Sequence, residues 1–279
     1  MTAQYREIAV FADATPEGEA LFLHAARLTL RIGADLVSVY GAARSSFTPD
    51  ETFARGEGAI ADVLARHTAK DRETAAEKIA PLKTMAATIG VSCEFRLVWS
   101  GDDEALRFLA CDLMVAAYPA PNDLPSDWTA ERLMSLNGGP MLLLPAHWPQ
   151  EEIGRHVVVA WNGSRQARRA VTDALPFLKA ADRITVLVVD AERYIDRAGA
   201  APGPDLLDYL ACLEVRATLH AAASGDDGIA AAIVRETRAL DADLVVIGCY
   251  SRSRTLETIF GGVTRTLLHE VSIPLFLSF

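Results

Sequence analysis

Apolar residues in this chain fall into short blocks, separated by segments whose apolar positions recur at helical spacing. Residues 6–12 (REIAVFA) form the first block and predict a buried strand that ends at Asp13. Residues 17–32 predict a helix stopped by Gly33, and residues 34–40 (ADLVSVY) a second strand. Residues 53–90 are rich in Ala, Glu, Lys and Arg with little but Pro81 to break them, which reads as one long helix or two in succession. Residues 91–99 are a third strand. Ser100-Gly101-Asp102-Asp103 then offers an N-cap and first-turn acids to a short helix. Residues 112–117 and 140–145 supply the fourth and fifth strands.

After a polar, proline-bearing linker at 146–154 the same order begins again. RHVVVAWNGS (155–164) echoes REIAVFADAT (6–15), with Asn162 in the place of Asp13, and ADRITVLVVD (181–190) echoes the second strand. SGDD recurs at 224–227, ADLVVIG (242–248) answers CDLMVAA (111–117), and SIPLFLSF (272–279) answers GGPMLLLP (138–145). An interval of roughly 149 residues at the start and 134 at the end is too long for a solenoid repeat and fits a duplicated domain.

Strands separated by helices imply parallel pairing, right-handed crossovers and helices on both faces. The expected fold class is therefore α/β, with two tandem doubly wound five-stranded parallel-sheet domains at 1–146 and 154–279, one sheet in each. The last strand of each half would lie at a sheet edge. An exposed apolar edge invites pairing, so residues 141–144 and 275–277 are expected to be covered by each other or by a second chain.

With 279 residues, half of them apolar, the chain can bury a substantial core. A formal charge of −10 argues against a sequence-independent nucleic-acid binder, which needs a basic face to neutralise phosphates. Cys93, Cys111, Cys212 and Cys249 form no CxxC pair and have no His at ligand spacing, so neither a disulfide framework nor a metal site is expected. Reduced thiols, a start unlike a signal peptide and the lack of any apolar run of eighteen residues predict a soluble, cytoplasmic protein with no membrane partner.

The stretch with the most chemistry is 243–279. A strand ends at Gly248, and Gly261-Gly262-Val263-Thr264 reads as a loop opening a helix, an order that holds phosphate in many α/β proteins. Glycines let backbone approach a ligand, and the amides at the following helix start point at an anion. Arg252, Arg254 and Arg265 flank this loop in an otherwise acidic chain, which favours a polyphosphate.

Over essentially the whole chain these residues resemble the universal stress protein family in tandem form. In that family a strand leads into Gly, two residues, Gly, nine residues, then Gly and Ser or Thr, which wraps ATP. Here Gly248, Cys249, Tyr250, Ser251, nine residues from Arg252 to Phe260, then Gly261-Gly262 keep the spacing. Ser251 stands where the second glycine is expected and Gly262 where the hydroxyl is expected, with Thr264 placing a hydroxyl two residues on. The resemblance implies a Rossmann-like fold with adenine near Asn162 and the backbone of Val188. Ribose and phosphates would pass Gly248, Ser251, Arg252, Gly261, Gly262, Val263 and Thr264. In the first half the matching stretch lacks the strand-end glycine and carries Pro119, Pro121 and Pro125, which excludes a phosphate loop and leaves Asp13 without its partners.

The implied function is a non-enzymatic stress protein whose second domain binds ATP or another adenine nucleotide and signals through shape or partner change. The halves would form an intramolecular pseudo-dimer, with or without further homodimerisation, and no protein partner is named by the sequence. Rival readings stay open. The loop can be a structural turn descended from a binding loop, and the protein a nucleotide-independent scaffold working through its edge strands or long helix. A nucleotide-phosphate hydrolase is a third reading, with no placed general base. Capping explains both SGDD stretches better than catalysis, and an inert Cys249 is the plainer reading than one activated beside an anion site. The six histidines are too dispersed to define a triad or a metal set.

Overall fold

A computed structural model describes residues 5–44, 57–193, 202–249, 262–269 and 272–279. The first half runs β1 (Glu7–Phe11), α1 (Pro16–Ile32), β2 (Asp35–Ala42), α2 (Glu57–Ile89), β3 (Cys93–Trp99), α3 (Asp103–Arg107), β4 (Leu113–Tyr118), α4 (Ala130–Asn137) and β5 (Met141–Pro145). In the second half the order is β6 (His156–Ala160), α5 (Arg165–Asp173), α6 (Leu175–Ala180), β7 (Arg183–Val189), α7 (Pro204–Cys212), β8 (Thr218–Ala222), α8 (Gly228–Ala239), β9 (Leu244–Gly248), α9 (Gly262–His269) and β10 (Leu275–Ser278).

Local chemistry explains the boundaries. Thr15 caps α1 by accepting the Gly18 amide, Pro16 occupies the first turn, and Gly33 ends the helix at φ 76° while donating to the Thr29 carbonyl. Residues 57–89 form one helix through Pro81, about 50 Å long at 1.5 Å per residue. The two halves repeat one device at the start of their first strands. Asp112 accepts the amides of Arg6 and Glu7, and Asp243 those of Arg155 and His156, so each carboxylate satisfies two donors that the ladder leaves open.

The ten strands of the described residues join in one sheet, ordered β3-β2-β1-β4-β5-β10-β9-β6-β7-β8. Each half contributes the expected five parallel strands, but there is one sheet and not two. The last strands pair antiparallel, Leu275 with Leu143, Phe276 with Leu142 and Leu277 with Met141. The two apolar edges thus cover each other within the chain, and they are not free to act as the working surface of a scaffold. An antiparallel junction also turns the strand ends of the two halves to opposite ends of the sheet.

Strand residues are buried on both faces, as parallel strands require: in β1, Ile8 and Val10 belong to one apolar cluster and Ala9 and Phe11 to the other. The junction between halves is aromatic. Tyr5 packs edge-on against Phe177 at 6.0 Å, Phe177 against Phe276 at 5.7 Å, and the Tyr5 hydroxyl donates to the Asp173 carbonyl of α5. The linker is strapped to α1 through His24 and the Trp148 carbonyl, Arg27 and Glu151, and Arg31 and the Ile153 carbonyl.

Candidate functional site

In the second half, β9, β6 and β7 are neighbours, so the residues beyond their C-terminal ends meet at one edge of the sheet. Asn162 lies two residues past β6 and is exposed. Its Oδ1 accepts the Ser164 amide at 3.1 Å, and the Ser164 hydroxyl accepts the Ala167 amide at 3.1 Å to cap α5. Val188, in β7, is buried, and Gly203 at φ 132° passes close over it, so that a Cβ there would stand 3.5 Å from the Val188 side chain.

Gly248 ends β9 for a reason independent of any ligand. A Cβ on it would lie 2.3 Å from the Gln166 carbonyl carbon and 2.4 Å from the Ala167 nitrogen, within the first turn of α5. The next residue, Cys249, is buried, its amide donates to the Ser278 carbonyl at 2.6 Å, and desolvation pushes its thiol up from the ordinary value. This is the inert cysteine of the two readings. Ser251, Arg252, Arg254 and Gly261 lie outside the described residues. Gly262 opens α9 on the surface, with nothing among the described residues within 4 Å of where a Cβ would stand; Val263 is half-buried, and Thr264 turns inward and is buried.

The equivalent place in the first half is filled by the chain itself. Asp13 is fully buried; its Oδ1 accepts the Thr15 amide at 3.0 Å and its Oδ2 the Asp123 amide at 2.8 Å. The segment between β4 and α4 turns inward here, burying Leu124 and Trp128, with Trp128 edge-on to Phe11 at 5.6 Å. Pro125 sits where a Cβ on Gly41 would come within 2.4 Å of its ring. Asp123 is held on the outside by the Tyr40 hydroxyl at 2.9 Å and by Lys78 at 2.7 Å, and burial together with Asp123 pushes the Tyr40 hydroxyl up. Sequence reasoning saw that prolines spoil a phosphate loop, but not that this segment would seal Asp13. The signal was present as Leu124 and Trp128, apolar residues among prolines.

The two SGDD stretches have different roles. Asp102 caps α3 by accepting the Ala105 amide at 3.0 Å, as expected. In the second half capping fails: α8 starts only at Gly228, and Asp227 makes no side-chain capping bond. Ser224 instead gives its amide and hydroxyl to Asp190 at 2.7 and 2.8 Å, because Asp190, at φ 52° just past β7, turns its carboxylate toward that loop. These two bonds, with Arg193 at 3.2 Å, hold the Asp190 carboxyl below the usual range.

A cleft of about 300 Å³ opens elsewhere, between α1 and the linker, lined by His24, Arg27, Arg31, Glu151, Glu152 and Ile153. It belongs to the strap that ties the linker down. Among the described residues no helix is long and apolar enough to cross a membrane, and no group of three His, Cys, Asp or Glu could hold a metal ion.

The universal stress protein family model matches residues 154–277. No curated protein matches the chain in sequence. Among solved structures, a universal stress protein from Archaeoglobus fulgidus DSM 4304 is similar at 12% identity and a TM-score of 0.68, over 98% of this chain and 97% of that one. A putative universal stress protein from Pseudomonas aeruginosa UCBPP-PA14 is similar at 18% identity and a TM-score of 0.55, over 98% of this chain and 93% of its own. Residues 154–277 thus match the universal stress protein family, and over its whole length the chain has the fold of these two solved structures.

Proposed function

We propose that the chain is a non-enzymatic nucleotide sensor whose second half binds one molecule of ATP or another adenine nucleotide, while the first half is structural. The observation that carries this reading is the asymmetry between two equivalent places. Asp13 is sealed by the Asp123 amide, whereas Asn162 is exposed beside the start of α5. Gly262, exposed at the start of α9, adds a helix N-terminus suited to phosphate. Binding would act by changing how the second half meets a protein partner in the cytoplasm.

Isothermal titration of ATP and ADP into the wild type and into Gly262→Glu tests it. Among the described residues a Cβ at this position meets no atom within 4 Å, and the glutamate sets a carboxylate against the phosphates, so binding is expected to fall at least about tenfold, with far-UV circular dichroism checking that the variant folds. One site per chain is expected in the wild type. No heat from either nucleotide, or two equal sites, overturns the proposal.

A second reading, a nucleotide-independent interaction protein, is favoured by Ile60 and Leu64, which lie one turn apart and exposed on α2. Replacing both with Lys would then abolish capture of a partner without affecting nucleotide titration.

A further inference from the structure

Asp13 and Asn162 stand at matching places. Each lies two residues past the first strand of its half, and each accepts the amide of the residue two further on, at 3.0 Å from Thr15 and 3.1 Å from Ser164. That turn fixes which atom of the side chain faces the helix. The amide of Ser164 needs an acceptor, so Asn162 must direct Oδ1 toward it and its Nδ2 away. In Asp13 the outward atom is Oδ2, and it accepts an N–H, that of Asp123, at 2.8 Å. The outward atom of the second half is instead a donor. Polarity at the recognition point is thus reversed between the halves. Asn162 is exposed, and among the described residues Ser164 is the partner of its side chain, which leaves Nδ2 to meet a ligand.

We infer that Asn162 sets the base specificity of the second half by donating to an acceptor on the purine, so that the site does not select adenine through its exocyclic amine. This rests on the reading that the second half binds a purine nucleotide with its base at Asn162. Adenine presents a ring-nitrogen acceptor and an amine donor on one edge, where a 6-oxopurine presents two acceptors. A carboxylate would accept from the amine and repel the oxo group. An outward amide –NH₂ finds an acceptor on either base. The physiological ligand class therefore extends from adenine to 6-oxopurine nucleotides.

The test is titration of ATP and of inosine triphosphate into the wild type and into Asn162→Asp. The variant keeps an oxygen for the Ser164 amide, and Asp13 shows that a carboxylate makes this turn, so the fold is retained. The expected result is wild-type affinities for the two nucleotides within about threefold, and an ATP preference raised about tenfold or more in Asn162→Asp. Binding of both nucleotides with a ratio that Asn162→Asp does not change, or a wild type that already prefers ATP tenfold, overturns this inference and leaves nucleotide binding standing. Failure of both nucleotides to bind either protein overturns both readings together.

Discussion

Gly248 offers the sharpest separation of structure from ligand. If this glycine exists to admit α5, Gly248→Ala must damage the apoprotein. The added methyl would stand 2.3 Å from Gln166 C, 2.4 Å from Ala167 N and 2.6 Å from Gln166 O. Carbon contacts relax at about 3.5–4.0 Å, so α5 has to retreat by roughly 1 Å from the end of β9. All three atoms are backbone in the first turn of a capped helix, and none can rotate away. Overpacking of this kind costs about 1–3 kcal/mol, offset by about 0.4–1 kcal/mol from stiffening the unfolded chain. The net expectation is a loss of about 1.3 kcal/mol and a drop in Tm of roughly 3–5 °C. Gly262→Ala is the matched control, because among the described residues the same methyl meets nothing within 4 Å and the residue is helical, so stability should hold or rise by up to about 1 kcal/mol. Urea unfolding followed by far-UV circular dichroism measures both. A Gly248→Ala protein within about 0.5 kcal/mol of wild type would refute the packing account and return Gly248 to the ligand.

Three further outcomes are expected. Burial lowers the His156 pKa, its ring nitrogens being engaged at 3.0 Å by the Leu240 carbonyl and by the Thr185 hydroxyl, so the unfolded chain takes up the proton first. Its contribution to stability is full above about pH 6.5 and is lost as the pH falls from there through the folded value; NMR should find the imidazole neutral at a pH where a free histidine is half-protonated. Asp13→Asn turns an NH₂ group toward the Asp123 N–H, and the donor–donor contact should cost about 1–3 kcal/mol in urea unfolding, with protease cleavage appearing between 119 and 129. In the native protein iodoacetamide should label exposed Cys212 and spare Cys249, whose thiol is buried and pushed up; mass spectrometry of the peptides reads both.

Much of the fold was legible because strand and helix periods are local properties. The apolar block at 6–12 became β1, and Gly33 stopped α1 where it should, since both depend on neighbours within a few residues. The candidate site was less legible. Asn162, Val188 and Gly248 do converge on one sheet edge, which the repeat already implied. The inward turn of Thr264 and the service of Ser224 to Asp190 depend on which face of a loop meets a neighbour far away in sequence.

By itself the sequence determined that there are two like halves of alternating strand and helix, that the first lacks the strand-end glycine and carries prolines in its place, and that the two final strands need covering. Only the tertiary structure decided what covers them. Leu275 to Leu277 and Met141 to Leu143 pair with each other because the linker lets one half turn antiparallel to the other, and a single sheet leaves neither apolar edge in water. It also decided that Asp13 is closed off. An amide 110 residues away reaches its carboxylate once Leu124 and Trp128 are buried, a long-range event with no periodic trace in the chain.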